Sequence, residues 1–272
     1  MNNKTKKDSI EKIKEELSRV NKNGNRSRTG RFVVSALSSI PWVGGIIAAS
    51  SALHGEKEQE KVNDLQKLWL EEHQKKIEKL AIAIYEIAEK LESSGADIGE
   101  RLESEEYLSL VRKGFKEWDN SETTEKKEYI QKLLTNAGAT SITSDDLIRL
   151  FIDWIRMYHE THFLVIKEIY KNPGITRDLI WNNLNTTQPR EDSVEADLYK
   201  LLIRDLSMGG IIRQHRETDY YGNFVKKSTK RAKSGTYKSA FDDEEQYELT
   251  ELGSQFVHYT MSDVVTQIGT DK

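Results

Sequence analysis

Apolar residues recur at helical spacing along most of this chain. Ile10, Ile13, Leu17 and Val20 lie three and four residues apart, and Asp8 or Ser9 ahead of them can accept the free amides of a first turn. This predicts a short amphipathic helix ending near Asn23 and Gly24, followed by a basic linker through Arg26, Arg28 and Arg31. Residues 1–31 form the first segment.

The pattern then breaks. Phe32 to Leu53 is a run of 22 residues without a charged side chain, in a chain that is 32% charged. As a helix it would be roughly 33 Å long, about the depth of a bilayer's hydrocarbon core. Phe32, Val33, Leu37, Ile40, Trp42, Val43, Ile46, Ile47 and Leu53 are the side chains that would meet lipid in residues 32–54. Serines and glycines interrupt them, and Pro41-Trp42-Val43-Gly44-Gly45 in the middle would kink a span or turn a hairpin. Small and hydroxyl residues suit close helix packing or a pore lining, which favours an oligomer if the segment inserts. The alternative is a buried hairpin, 32–40 against 43–53, in a soluble bundle.

Basic residues before the run would hold the N-terminus in the cytoplasm and send the remaining domains outside. A re-entrant loop, an interfacial hairpin or insertion only on activation avoids that export. The expected location is therefore the cytoplasmic face of the inner membrane, or the cytoplasm if the run is core.

From Glu56 to Ser93 the chain reads as one long helix with a seam of Val62, Leu65, Trp69, His73, Ile77, Leu80, Ile84, Ile87 and Leu91. Ile77, Leu80, Ile84, Ile87 and Leu91 keep coiled-coil spacing, and the steps of four around His73 look like a stutter. The seam predicts a homo-oligomeric stalk, or a helix packed inside a monomeric bundle. Helices over Tyr107–Trp118 and Glu125–Asn136, the second capped by Ser121 or Thr124, complete a region of stalk and bundle over 55–140. The small, polar stretch 136–144 marks a domain boundary.

Residues 141–262 form the next domain. An apolar helical stretch from Asp145 to Ile169 is stopped by Asn172, Pro173 and Gly174. Thr176 caps a helix to Leu184, and Asp192 or Ser193 caps another to Met208. Gly209 and Gly210 turn the chain, Ile211–His215 alternates as a strand, Gln246–Leu249 can pair with it, and Thr250 caps a last helix. Helix, helix, helix, strand, long loop, strand, helix is the winged-helix order, and Leu249-Thr-Glu-Leu-Gly-Ser-Gln-Phe256 resembles the end of the wing in bacterial winged-helix regulators. The fold class is thus mainly α: an N-terminal helical region with a long coiled-coil-like helix, and a C-terminal winged-helix (α+β) domain. Residues 263–272 are a tail.

Composition narrows the chemistry. Three prolines fit long helices, and the absence of cysteine removes disulfides, thiolate metal sites and thiol nucleophiles. No basic stub leads directly into an apolar run at the N-terminus, so no cleavable signal peptide is expected. With 41 basic and 45 acidic residues the net charge is -4, so any nucleic-acid contact must come from a local patch.

The third helix of the winged-helix domain opens with Glu191, Asp192, Glu195 and Asp197 against Arg190, Lys200 and Arg204. Carboxylates at that end would be repelled by groove phosphates, which argues against major-groove reading. The wing differs: Lys226, Lys227, Lys230, Arg231, Lys233 and Lys238 put six cations in thirteen residues without an acid, near Tyr220, Tyr221, Phe224 and Tyr237. That suits phosphates or single-stranded nucleic acid, with Tyr237 available for stacking. Its alternative is a solvated basic loop balanced by Asp242, Asp243, Glu244 and Glu245.

Catalytic patterns are weak. His159-Glu160-Thr161-His162 has its histidines three apart where a zinc-protease helix needs four, with no third ligand. Arg156, five intervening residues and His162 fit the loose spacing of HEPN-type ribonucleases. No phosphate-cradling loop or nucleophile elbow occurs. We expect no enzyme, no cofactor and no metal.

Glu125-Lys-Lys-Glu-Tyr-Ile-Gln-Lys-Leu-Leu-Thr-Asn-Ala137, followed by the apolar helix holding His162, resembles a pattern in bacterial abortive-infection proteins of the Abi-alpha type. The resemblance implies a phage-defence effector that damages its own cell's membrane when triggered, with a co-encoded sensor or synthase protein as a further partner. It carries over no functional residue. The expectation is a membrane-associated, oligomeric, pore- or channel-forming effector, controlled by nucleotide or nucleic acid at the winged-helix domain. The alternatives are a soluble winged-helix DNA-binding regulator or protein scaffold, and a HEPN-like ribonuclease.

Overall fold

The computed structural model describes residues 32–33, 35–37, 40, 76, 79–91, 101–102, 104–140, 143–216, 219–221, 225 and 239–261. It is mainly helical, with one small three-stranded antiparallel sheet. The chain divides into two compact units, the first of residues Met1–Met157 with Tyr259–Lys272 and the second of Tyr158–His258.

In the first unit, helices α1 (Glu105–Asn120), α2 (Thr124–Ala139) and α3 (Asp145–Met157) pack on one another. Ser104 starts α1 by accepting the Tyr107 amide at 3.2 Å, with Glu105 and Glu106 in the first turn where the helix dipole favours acids. Tyr107, Leu110, Val111, Phe115 and Trp118 then bury one stripe of it. Thr123, rather than Ser121 or Thr124, caps α2 through the Lys126 amide at 3.4 Å. In α3, Ile148, Phe151, Ile152, Trp154 and Ile155 are buried, and a Lys113–Asp153 ion pair of 2.7 Å ties it to α1.

This placement of α3 moves the domain boundary. The stretch 136–144 reads as a linker because it is small and polar, yet Asn136, Ala137 and Gly138 are buried inside α2. Their smallness permits close approach: a Cβ on Gly138 would lie 2.7 Å from the Tyr107 hydroxyl. The polarity of Asn136 is satisfied by donating from Nδ2 to the Tyr259 carbonyl at 2.9 Å. The division falls instead between Met157 and Tyr158, where the apolar stretch expected to run unbroken from Asp145 splits into α3 and α4.

Leu80, Ile84, Ile87 and Leu91, on the helical residues 79–91, are fully buried within this chain. That is how a helix packs inside a bundle, not how the exposed seam of a free stalk looks; Ile77 and the rest of the long helix lie outside the described residues. Phe32, Val33, Ala36, Leu37 and Ile40 are buried too, and the Phe32 ring stacks on Tyr107 with centroids 5.9 Å apart.

In the second unit the order is α4 (Glu160–Lys171), β1 (Ile175–Thr176), α5 (Arg177–Leu184), α6 (Val194–Met208), β2 (Ile212–Gln214), β3 (Gln246–Leu249) and α7 (Glu251–Met261), whose last residues, from Tyr259, belong to the first unit. The sheet order is β1-β3-β2, so the strand last in sequence is central. Tyr247 stands in register with Ile175 on one side and Gln214 on the other. The two-residue strand β1 is too short to show any alternation in sequence.

In this unit the caps are Thr176 and, of the two candidates before α6, Ser193 rather than Asp192. Thr176 accepts from the Leu179 amide and Ser193 from the Ala196 amide. Thr250 accepts from the Gly253 amide at 2.9 Å and donates to the Gly210 carbonyl at 2.6 Å, fastening α7 to the turn that follows α6. Gly210 itself sits at φ 75°, which a side chain would disfavour. His162 is buried, and its Nδ1 accepts from the His159 amide at 3.1 Å, closing the first turn of α4.

Gly253 makes the tightest approach to backbone in this unit, since a Cβ there would lie 2.1 Å from the Ile211 carbonyl oxygen. Backbone cannot swing aside as a side chain can. Gly253→Ala should therefore destabilise the second unit by about 1–3 kcal/mol, read as lost hydrogen-exchange protection at β2 and β3; unchanged protection would show that the contact relaxes freely.

Candidate functional site

The second unit carries a cleft of about 610 Å³ lined by Arg177, Lys200, Ile203, Arg204, Ser207, Ile212, Arg213, Gln214, Arg216 and Tyr247. Half of these residues are cationic and none is a carboxylate. Lys200, Arg204 and Ser207 share one face of α6 by their spacing of four and three. Arg177 opens α5, and Arg213 and Arg216 arrive on and just after β2. Ile203 and Ile212, both buried, form an apolar floor.

Arg177 is held most firmly. Its Nε donates to the Tyr247 hydroxyl at 2.8 Å, its guanidinium lies 5.2 Å from the Tyr247 ring centroid, and Glu245 stands 3.8 Å away. The Tyr199 hydroxyl donates to the Arg177 carbonyl at 2.8 Å. Tyr199 in turn packs in an aromatic cluster with Trp181 and Phe241. Burial pushes the Tyr247 phenol up despite the neighbouring Arg177, so this hydroxyl stays protonated as a donor.

Carboxylates stand behind the cations rather than in the cleft. Arg213 Nε donates to Glu248 at 2.7 Å, and His215 Nδ1 lies 2.6 Å from the other Glu248 oxygen. Lys200 pairs with Glu191 at 3.3 Å and Arg204 with Asp205 at 3.5 Å. Gln214 donates to Glu245 at 2.6 Å. Partial burial would raise the Glu248 carboxyl, but hydrogen bonds from His215 and Arg213 hold it below the ordinary value of 4.5. Burial is likewise outweighed at Glu191 by the Ala240 amide, the Ser239 hydroxyl and Lys200, and its carboxyl is also lowered.

These pairs change the meaning of the acidic start of the third helix. Glu191 is engaged by Lys200 and Ser239, and Asp192 accepts two hydrogen bonds from Arg190 at 2.9 and 2.8 Å. Glu195 and Asp197 remain exposed on α6. Arg177, Arg213 and Arg216, which the linear reading did not set against these acids, join Lys200 and Arg204 through the fold. The run Arg213-Gln-His-Arg216, two residues after the Gly209-Gly210 turn, was the signal available in sequence.

The wing residues Lys226, Lys227, Lys230, Arg231, Lys233, Tyr237 and Lys238 lie outside the described residues, as do Trp42, Val43, Ile46, Ile47 and Leu53. Tyr220 and Tyr221 are exposed, their rings edge-on with centroids 5.6 Å apart.

Chemically, the cleft offers guanidinium forks, an ammonium, two hydroxyls and an amide over an apolar floor. Guanidinium groups match phosphate oxygens in pairs of parallel hydrogen bonds, and the volume falls in the range of sites for nucleotide-sized ligands. The arrangement is suited to holding a phosphorylated anion. Compared with known protein families, curated proteins and solved structures, the chain matches none.

The Glu248 pairs have a pH signature. A carboxyl lowered in the folded state adds stability that is complete above the ordinary carboxylate pKa and disappears as pH falls through the lower folded value. Glu248→Gln should thus lower the thermal midpoint at pH 7, and the gap to the unmodified chain should close below about pH 4. A gap of equal size at both pH values would mean that Glu248 acts through packing alone.

Proposed function

We propose that the second unit is a winged-helix module that binds a phosphate-bearing ligand, a nucleotide or a nucleic-acid strand, in the cleft between α6 and the sheet. The observation carrying this reading is the convergence of five cations from α5, α6 and the β2 region on one lining with no carboxylate in it. The order of helix, strand, two helices and two strands, with the sheet order β1-β3-β2, supports the winged-helix assignment. Exposed Glu195 and Asp197 point away from groove reading by α6 and toward phosphate capture beside it.

As the output of this module we propose the ligand-controlled, membrane-associated effector that the uncharged run 32–53 suggests, acting in abortive infection. The support is the length and lack of charge of that run. Since Phe32, Val33, Leu37 and Ile40 are buried in the first unit, contact with lipid requires their release. Vesicle binding should accordingly depend on ligand: the full chain should sediment with anionic liposomes in the presence of a nucleotide or oligonucleotide that it binds and stay in solution without it. Absence of sedimentation in both conditions would remove the membrane output. The same burial favours a second reading, a soluble regulator in which this segment is core.

Fluorescence anisotropy of the full chain with labelled nucleoside triphosphate and, separately, a labelled single-stranded oligonucleotide tests the cleft. Arg204→Ala and Arg213→Ala, both largely solvent-facing, should each weaken binding about 5- to 100-fold. For the oligonucleotide, each should also reduce the slope of log affinity against log salt by about one phosphate contact. Unchanged affinity for both probes in both variants would overturn the reading.

A further inference from the structure

We propose that the outward face of α6 is a self-association surface, on which the same helix of a second copy lies antiparallel across a two-fold axis at Leu201. The inward face of α6 is spent on the core, with Ala196, Tyr199, Leu202, Ile203 and Leu206 buried. The opposite face is apolar as well. Val194 and Met208 are each 80% exposed, Leu198 48% and Leu201 38%. Their spacing of four, three and seven residues keeps them on one stripe about 21 Å long.

Self-complementarity identifies the occupant. A two-fold axis at Leu201 brings the two copies of that side chain together. Val194 and Met208 lie seven residues to either side of it, so each meets the other across the contact. Antiparallel helices related by a two-fold axis match like flanks. Asp197 lies four residues before Leu201 and Arg204 three after it, on the same flank, which sets Asp197 within one residue, about 1.5 Å along the axis, of the partner subunit's Arg204, twice over by symmetry. Asp197 makes no ion pair among the described residues. Arg204 holds only an exposed 3.5 Å pair with Asp205, the kind worth little in water. Both charges are thus available to a partner. Acidic Glu195 and Asp197 disfavour a nucleic-acid strand or an anionic membrane on this face.

The absence of cysteine makes the geometry directly testable in the full chain. With no phosphate ligand present, Leu201→Cys should give a covalent dimer in high yield with a short bismaleimide. Val194→Cys alone should cross-link poorly, whereas Val194→Cys mixed with Met208→Cys should cross-link well. All three positions are exposed, so the variants should fold. In sedimentation equilibrium, Asp197→Arg should weaken the dimer roughly tenfold, and Asp197→Arg with Arg204→Asp should restore it. Equal cross-linking at all positions, or a chain that stays monomeric at high concentration, would overturn the proposal. Because the cross-linking needs no ligand, its failure is separable from a failure of phosphate binding.

Discussion

The contact between Arg177 and Tyr247 organises the second unit. Tyr247 lies on the central strand, in register with both neighbours, and its hydroxyl receives the guanidinium of the first residue of α5. Helix start, sheet and one wall of the cleft are joined at that point. Tyr199 fixes the same residue from α6 by binding its carbonyl, so the side chain of Arg177 is offered to the cleft from a backbone that cannot easily shift. A cation held this way does not have to be ordered when an anion arrives, and ordering costs are much of what weakens binding by flexible surface lysines.

Crowding five cations is unfavourable unless their repulsion is offset. Here the compensation comes from Glu191, Asp205, Glu245 and Glu248, each beside one of the lining cations and none in the lining. Such pairs are partly solvated, so they lower the repulsion without cancelling the field toward an incoming phosphate. Under the winged-helix reading proposed above, α6 then has two outward duties on adjacent flanks. One flank, through Lys200, Arg204 and Ser207, belongs to the cleft; the other is the apolar stripe around Leu201. Arg204 lies where they meet, so occupation of the cleft and pairing of two copies would act on a common charge.

For the first unit the corresponding constraint is burial. Phe32, Val33, Leu37 and Ile40 cannot be core and lipid-facing at once, so a membrane role for them implies a rearrangement with a free-energy cost, in keeping with a triggered rather than constitutive protein. The seam of Leu80, Ile84, Ile87 and Leu91 is likewise already filled within the chain.

Local features were legible in the sequence because their causes are local. Helix spacing marked α1, α2 and α5 to α7 but ran α3 and α4 together, and Thr176, Thr250 and Ser193, the last with Asp192 as its alternative, stood out as caps because a hydroxyl before an apolar run has one nearby amide to accept. The pairing of Ile211–His215 with Gln246–Leu249 showed in their alternation, although 31 residues separate β2 from β3. What sequence could not disclose were relations between distant residues. Asn136 to Gly138 read as a linker because smallness and polarity are the same whether a residue is exposed or permits close packing; only the position of Tyr107 distinguishes the two. The acidic start of α6 looked repulsive in part because the Ser239 hydroxyl and the Ala240 amide, which satisfy Glu191, lie 48 and 49 residues away. Charge is a property of residues, but potential depends on distance, and the distances that bring Arg177, Lys200, Arg204, Arg213 and Arg216 around one cleft are set by the sheet.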